Sequence, residues 1–298
     1  MRDGLPRRTI LSGAGALALA ACYRREDRPQ TQERPRDFFL SDLEARHGGR
    51  LGLAALDVGS GRAVQWRGQE RFPFCSTFKP FLAAATLQRI ERDEETLDRP
   101  VRITRADIVP HAPVTGPAVG GVLTIRQLMQ AAVEVSDNPA ANILIREMGG
   151  LTVWKAWWPT FGDTTTLVSR LEPELNTALA DDPRDTCLPD QTLANMRLMA
   201  FGDRMTSEHH EMLVGWLLAS PTGPNRLKVA APQGWAVAHK TGSGQNGTAN
   251  DIGMLTPVSG SPVLMAVYLN GAVRATEAER DAVIAEAGRR ALEALDRD

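Results

Sequence analysis

The sequence has few lysines, no excess of either charge and no histidine pattern typical of a metal site. Only four of its 34 basic residues are lysine, and its formal net charge is −2 at pH 7 with an isoelectric point near 6.2. A chain without a basic excess has no electrostatic support for a nucleic-acid partner. Because the five histidines lack the spacing of metal ligands, we expect no metal and no other cofactor.

Long hydrophobic runs are also absent, and the most notable short one lies at the start of the chain. Residues 10–21 are apolar and follow Arg7-Arg8. This run is too short to span a bilayer but suits the core of an export signal, and the paired arginines suggest the twin-arginine route. The sequence therefore predicts export to the periplasm and removal of residues 1–21.

The signal ends in Leu-Ala-Ala-Cys at Cys22, which resembles the cleavage box of bacterial lipoproteins. That resemblance makes Cys22 a candidate for lipidation and membrane anchoring. The alternatives are ordinary cleavage near the same alanines and an uncleaved anchor. Residues 22–36 are charged, contain proline and have almost no apolar side chains, so we interpret them as a solvated tether.

Cysteine is scarce as well, with Cys75 and Cys187 the only two beyond Cys22. An exported protein meets an oxidising compartment in which these two could pair. Since a free cysteine often behaves as a small hydrophobic residue, we expect two buried free thiols instead.

Residues 37–298 have the composition of an ordinary globular domain, with strands near both ends and helices in the centre. Hydrophobic periodicity predicts helices over residues 37–47, 81–90, 124–134, 139–148, 190–201, 207–219 and 276–295, and strands over residues 51–57, 63–67, 235–240, 251–256 and 263–269. The fold class is therefore α/β plus all-α, with an antiparallel sheet flanked by helices from both termini and an inserted helical lobe. We expect the α/β lobe to comprise residues 37–75 and 220–298, and the helical lobe residues 76–219.

Ser76-Thr77-Phe78-Lys79 places a hydroxyl and an amine one helical turn apart, on one face. A serine becomes a nucleophile when a neighbouring group takes its proton, and a buried lysine can be neutral whereas an arginine cannot. The retained lysine favours Ser76 as a nucleophile. The alternative is a helix start with a serine cap and a solvated lysine, because Ser-x-x-Lys occurs by chance about once in a chain of this length.

Two further tripeptides lie downstream, Ser136-Asp137-Asn138 and Lys240-Thr241-Gly242. Taken singly, the first is an Asx-type turn in which Asn138 caps the next helix, and the second is the end of a strand. In this order, however, the three motifs resemble those of class A β-lactamases and penicillin-binding proteins. The resemblance spans nearly the whole exported domain and implies the β-lactamase/transpeptidase-like fold.

A fourth stretch distinguishes the two families. Residues 170–189 lack helical or strand periodicity and resemble the Ω-loop of class A β-lactamases. The resemblance implies that Arg170 and Asp185 pair across the loop base and that Glu172 and Asn176 hold a water. An acyl-enzyme is released quickly only if a general base activates that water, and penicillin-binding proteins lack one. Glu172 therefore predicts turnover.

The remaining roles are implied by the same resemblance. Ser76 attacks the lactam carbonyl, the backbone N–H groups of Ser76 and Ser243 bind the oxyanion, and Ser136 passes a proton to the lactam nitrogen. Either Lys79 or Glu172 takes the Ser76 proton, a question that is disputed for the family and stays open here. The other substrate-binding residues are Asn138 for the acylamino group and, for the substrate carboxylate, Lys240, Thr241, Ser243 and Arg226.

Three positions depart from frequent family patterns. Ala249 stands where many members carry the carboxylate-binding arginine, which is why we assign that role to Arg226. Some carbapenem-hydrolysing relatives have a cysteine at the position of Gly244, and it forms a disulfide with a cysteine at the position of Cys75. Because this chain has Gly244 there, that disulfide is not expected. His111 stands at the place of an aromatic gate residue, and is equally consistent with a surface loop.

The sequence thus predicts an exported, monomeric serine β-lactamase acting on β-lactam small molecules. A D-Ala-D-Ala peptidase or transpeptidase, which shares three of the motifs, is the alternative within this superfamily. A β-lactam-sensing or cell-wall-binding lipoprotein, acylated once and not released, is the alternative of a different class.

Overall fold

The computed structural model describes residues 39–297, which contain one large antiparallel sheet and two small ones. The predicted export signal, the lipidation candidate Cys22 and the tether lie outside the described residues. In chain order the strands are β1 (Arg50–Asp57), β2 (Ala63–Trp66), β3 (Phe72–Pro73), β4 (Pro100–Arg102), β5 (Val122–Thr124), β6 (Thr186–Cys187), β7 (Ala236–Gly244), β8 (Thr248–Thr256) and β9 (Val263–Asn270).

Most of the helices lie between β5 and β7. They are α1 (Ser41–His47), α2 (Lys79–Glu91), α3 (Ile125–Glu134), α4 (Asn138–Glu147), α5 (Leu151–Thr160), α6 (Pro189–Phe201), α7 (Ser207–Ala219), α8 (Leu227–Ala230) and α9 (Glu277–Ala294). Short 3₁₀ turns at Cys75–Phe78, Arg105–Asp107 and Glu174–Thr177 complete the described secondary structure. None of the helices between residues 39 and 297 is long and apolar enough to cross a membrane.

The large sheet has the strand order β2-β1-β9-β8-β7, so that both ends of the domain contribute to it. β1 pairs with β9 along its whole length, from Arg50 opposite Asn270 to Asp57 opposite Val263. Residues along these strands are buried on both faces, which explains their nearly continuous apolar sequence. The predicted fold class is confirmed, whereas the exact lobe boundaries stay a prediction.

Two hydrophobic cores flank the sheet. One contains Leu43, Leu227, Ile284 and Leu292 and buries α1, α8 and α9 against one face. The other joins the opposite face to the helical lobe, and Trp154 is its largest fully buried side chain. The predicted catalytic motifs lie beside this second core, at the starts of α2 and α4, and on β7, the strand at the edge of the sheet.

Helices α5 and α8 and four short strands were not predicted. Helix α5 was missed because its ten residues contain three tryptophans and an internal Pro159 and lack a clear polar face. Its buried Trp158 packs against Phe81 of α2 at 5.5 Å between ring centroids. The pairs β3–β6 and β4–β5 involve strands of two or three residues, which are too short to show an alternating pattern.

Cys75 and Cys187 are both buried free thiols, as expected. Burial raises the pKa of Cys75, and it raises the pKa of Cys187 to about 11. Both groups are therefore neutral thiols at physiological pH, and the thiolate is the reactive form.

We expect neither thiol to react with Ellman's reagent in the folded protein. In a Cys22→Ser background, two thiols per chain should become reactive only after guanidinium is added. Val258→Cys supplies a matched positive control, since Val258 is 85% exposed and should be labelled without denaturant. Rapid labelling of the folded Cys22→Ser protein would contradict the buried state of these thiols.

Candidate active site

Ser76 lies in the 3₁₀ turn that runs directly into α2, and Lys79 is the first residue of that helix. Cys75 has a φ of +47°, a left-handed conformation that residues other than glycine rarely adopt. Asn250 of β8 ties down the turn, because its Nδ2 donates hydrogen bonds to the carbonyl oxygens of Pro73 at 2.8 Å and Phe74 at 3.2 Å. The nucleophile candidate is thus fixed by the sheet behind it.

Lys79 is fully buried and donates hydrogen bonds from Nζ to Asn138 Oδ1 at 2.6 Å, Ser136 O at 2.8 Å and Ser136 Oγ at 3.3 Å. Its Nζ also lies 3.1 Å from Glu172 Oε1. Burial lowers the pKa of Lys79, while the nearby Glu172 carboxylate acts in the opposite direction. A neutral amine is therefore more accessible here than for a solvated lysine.

The Ser136-Asp137-Asn138 turn differs from the expected capping arrangement. Asp137, and not Asn138, is the N-cap of α4, with its Oδ1 accepting from the Ala140 N–H at 2.9 Å. Asp137 also accepts from the backbone and side chain of Thr115, which ties the turn to the preceding loop. Asn138 is therefore not the cap that the tripeptide, taken singly, suggested. Its side chain instead binds Lys79 and donates to Pro110 O at 2.9 Å.

Glu172 brings the Ω-loop to the nucleophile. Its Oε1 lies 3.4 Å from Ser76 Oγ, and its Oε2 accepts a hydrogen bond from Asn176 Nδ2. Asn142 holds its backbone on both sides, accepting from Glu172 N at 2.9 Å and donating to Glu172 O at 2.8 Å. Sequence reasoning missed Asn142, although it lies one helical turn after Asn138 and so shares a face of α4 with it.

The base of the same loop contains Arg170 and Asp185. Arg170 Nε donates to Asp185 Oδ2 at 2.6 Å, and its guanidinium also donates to Thr177 Oγ1 at 2.8 Å. Asp185 is fully buried and accepts two backbone N–H groups, from Ser169 and Arg170. The segment contains the 3₁₀ turn Glu174–Thr177 and β6, and is otherwise irregular, as its sequence suggested.

Lys240 reaches the site from β7, which continues past the predicted strand end at residue 240 to Gly244. Its fully buried Nζ donates to Ser136 Oγ at 3.0 Å and to Thr241 O at 2.9 Å. Burial lowers the pKa of Lys240 well below its usual value, and the Lys79 charge lowers it further. The Ser136 hydroxyl consequently lies between two amines.

Gly242 explains how β7 can approach the nucleophile turn so closely. A Cβ at this position would lie 2.9 Å from Phe74 O and 3.1 Å from Thr77 Cγ2. Only a residue without a side chain fits there without a shift of the backbone. Lys240, Thr241 and Ser243 are thereby held along one side of Ser76.

Arg226 completes that side. One of its guanidinium nitrogens donates to Ser243 Oγ at 2.9 Å. A second nitrogen donates to two backbone carbonyl oxygens, Gly242 O and Asn250 O, at 2.9 Å each. The third, Nε, donates to Asp281 Oδ1 at 2.6 Å. Thr241 Oγ1 donates to Thr222 Oγ1 at 2.8 Å. The structure thus places a guanidinium, the Lys240 amine and two hydroxyls together, and each of them can donate hydrogen bonds to a carboxylate.

His111 and Gly244 lie at the margins of the site. His111 is exposed, its Nε2 lies 3.0 Å from Val135 O, and its carbonyl accepts from Asn138 N at 3.0 Å. A Cβ at Gly244 would lie 2.7 Å from Cys75 Sγ, so these positions face each other without a second thiol. Within the described part of the chain, no three His, Cys, Asp or Glu side chains are grouped as metal ligands would be.

The comparisons with known proteins agree with this arrangement. The sequence profile of the β-lactamase enzyme family matches residues 37–295. The chain belongs to the class A serine β-lactamases. It is 40% identical to a carbapenem-hydrolysing β-lactamase KPC of Klebsiella oxytoca over 86% of this chain and 87% of that protein. It is 36% identical to β-lactamase CTX-M-8 of Citrobacter amalonaticus over 83% and 85% of the respective chains.

The solved structures give the same assignment for this class A β-lactamase. A structure of the last common ancestor of Gram-negative bacteria β-lactamase class A superposes with a TM-score of 0.83 and is 44% identical, covering 86% of this chain and 97% of its own. The β-lactamase/transpeptidase-like fold that the motifs implied is therefore confirmed.

Proposed function

We propose that this protein hydrolyses the cyclic amide of β-lactams through an acyl-enzyme on Ser76, which a Glu172-activated water releases. The position of the Glu172 carboxylate carries this proposal, since it lies within 3.4 Å of Ser76 Oγ and 3.1 Å of Lys79 Nζ. Asn142 holds the backbone of Glu172, and Asn176 donates a hydrogen bond to its carboxylate. A buried, anchored carboxylate beside a nucleophile is suited to general-base catalysis.

In the acylation step, Ser76 Oγ attacks the lactam carbonyl carbon, and its proton passes to Lys79 or to Glu172. The oxyanion is bound by the backbone N–H groups of Ser76 and Ser243, each typically worth about 3 kcal/mol. The lactam C–N bond then breaks, and Ser136 Oγ donates a proton to the leaving nitrogen. Ser136 regains a proton from the amines on either side of it, at 3.3 Å and 3.0 Å.

In the deacylation step, a water attacks the ester carbonyl carbon and gives its proton to Glu172. The ester C–O bond breaks, Ser76 Oγ recovers a proton, and the opened product leaves. During both steps Asn138 binds the acylamino group, while Lys240, Thr241, Ser243 and Arg226 bind the substrate carboxylate. The hydrogen bond from Asn176 orients the Glu172 carboxylate towards the attacking water.

Turnover of a chromogenic cephalosporin by the purified protein tests this function. We expect many substrate molecules to be hydrolysed per enzyme molecule, without an added metal. A D-Ala-D-Ala peptidase or a β-lactam sensor would instead be labelled stoichiometrically by a fluorescent penicillin and stay labelled. Persistent labelling without turnover would therefore reject the proposal. The Glu172 loop favours hydrolysis of β-lactams over both alternatives, since neither would need this loop.

We also propose that the protein is exported to the periplasm as a monomer and that Cys22 carries a lipid anchor. The paired arginines, the apolar run and the Leu-Ala-Ala-Cys tetrapeptide support export and anchoring. Fractionation of cells tests the anchor, since the unchanged chain should sediment with membranes and the Cys22→Ser chain should not.

A further inference from the structure

Asn250 is a fully buried polar residue of β8 that lies outside the sequence motifs. Its side-chain nitrogen donates one hydrogen bond to Pro73 O at 2.8 Å and another to Phe74 O at 3.2 Å. An amide nitrogen has two N–H groups, so both of its donors are used. The side-chain oxygen is buried without a hydrogen-bond partner among residues 39–297. Because an unpaired buried acceptor is costly, the two donated bonds are what this side chain contributes.

Both bonds end on the chain just before the nucleophile. Pro73 and Phe74 immediately precede Cys75, the first residue of the 3₁₀ turn that contains Ser76. Cys75 has a φ of +47°, and a residue other than glycine keeps such a conformation only where its surroundings hold it there. The Asn250 amide is one of the groups that hold this turn.

The same amide lies against β7. Asn250 is the cross-strand partner of Gly242, and strand alternation places its side chain on the face of the sheet that also presents Lys240. A Cβ at Gly242 would lie 3.3 Å from Asn250 Nδ2 and 2.9 Å from Phe74 O. The amide therefore lies in the narrow gap where the strand pair meets the nucleophile turn.

The two N–H groups proposed to bind the oxyanion come from the two segments that Asn250 joins. One belongs to Ser76 in the turn, and the other belongs to Ser243 in β7. Thr241 O accepts from Lys240 Nζ at 2.9 Å, so it faces the edge of β7 that points away from β8. Backbone groups two residues apart point to the same side of a strand, and the Ser243 N–H therefore faces that edge too. The separation of the two N–H groups depends on the gap that Asn250 bridges.

We propose that Asn250 is a positioning residue that sets the separation of the two oxyanion-binding N–H groups. It acts through the turn that contains Ser76 and does not contact the substrate. This inference rests on the proposed function, because it assumes that the backbone N–H groups of Ser76 and Ser243 bind the oxyanion. Such donors stabilise a transition state only if they are in place before the charge develops, which is what a fixed gap provides.

Stopped-flow acylation of the full-length protein by a chromogenic cephalosporin tests the proposal. Asn250→Ala removes both donors, so the nucleophile turn should be held less firmly against β7. We expect the acylation rate constant to fall by about 10- to 100-fold, somewhat less than outright removal of an oxyanion donor costs. The dissociation constant of the noncovalent complex should stay within about twofold, because the lactam oxygen gains its charge only in the transition state.

Binding of phenylboronic acid measures the same separation without turnover. Ser76 Oγ donates an electron pair to boron and forms an O–B bond, its proton passes to Lys79 or Glu172, and boron becomes tetrahedral and negatively charged. One boronate oxygen then takes the position of the oxyanion. The affinity of Asn250→Ala for this compound should fall by about the same factor as its acylation rate constant, as expected for a transition-state analogue. Loss of stability alone would leave the affinity of the folded variant unchanged.

Two further variants make the result specific. Asn250→Val also lacks both donors, but a β-branched apolar residue suits a buried strand, so it gives an independent folded test and should show the same losses. Asn195→Ala removes another buried asparagine, on α6, whose Nδ2 donates to Asp163 Oδ2 at 2.7 Å. It should lower the free energy of unfolding but leave acylation and boronic acid binding unchanged.

Normal acylation and normal boronic acid binding by a folded Asn250 variant would overturn the inference, as would equal losses in Asn195→Ala. A weaker noncovalent complex that accounts for the whole effect would overturn it as well. Acylation without turnover by the unaltered protein would instead reject the proposed function. The two failures are therefore distinguishable.

Discussion

Glu172→Gln is expected to convert the enzyme into one that acylates and then stalls, with kcat reduced by about 10²- to 10⁴-fold. The amide fills the same space and can still contact Asn176, but it cannot take a proton from water. Intact-protein mass spectrometry after mixing with a penicillin should show a stable adduct on Ser76. The rate at which the adduct forms also indicates which group is the acylation base. If Lys79 alone takes the Ser76 proton, this rate should be nearly the same in Glu172→Gln as in the unaltered enzyme.

Glu174→Gln is the matched control for this experiment. Glu174 lies two residues away in the same loop, but its side chain is exposed. Loss of its charge should not change the turnover rate. No long-lived adduct should accumulate, as in the unaltered enzyme. Rapid hydrolysis by Glu172→Gln would remove Glu172 from the proposed role.

Arg170→Ala is expected to lower the free energy of unfolding by about 3 kcal/mol, because it leaves the Asp185 carboxylate buried without its cation. The Ω-loop also loses the link from Arg170 to Thr177, so Glu172 should be held less firmly and the acyl-enzyme should live longer. Urea denaturation monitored by tryptophan fluorescence measures the first effect, and the lifetime of the penicillin adduct measures the second.

Arg184→Ala provides the comparison in the same segment. Arg184 pairs with Asp182 at 2.8 Å but is itself half exposed, so its loss should change the free energy of unfolding much less than the loss of Arg170. If the two variants were equally stable, the Arg170–Asp185 pair would not be the anchor of the loop.

Elements bounded by capping or turn residues were predictable from the sequence, and elements fixed by tertiary contacts were not. The predicted helix over residues 207–219 coincides with α7, which follows its N-cap Thr206. The hairpin of β1 and β2 was placed to within about one residue, because Gly59-Ser60-Gly61 separates its two apolar runs. The end of β7 was not predictable, since the residues after Lys240 extend the strand only where β8 lies beside them.

The same distinction applies to the site. Short motifs pointed to Ser76, Lys79, Ser136 and Lys240, because the chemistry requires those side chains at those spacings. The supporting residues Asn142, Asn250 and Asp281 belong to no such motif. Their roles depend on which backbone group or guanidinium the fold places opposite them, and a single sequence does not contain that information.

The pairing of β1 with β9 has a consequence for how the protein is made. Leu53 lies opposite Val267, so the central strand pair joins segments that are synthesised near the beginning and near the end of the domain. Contacts so distant in sequence form slowly, because a long loop must close before they contribute stability. During translation β1 therefore has an open edge until β9 has left the ribosome. A nascent chain that stops before residue 263 leaves an aggregation-prone strand edge and no complete sheet.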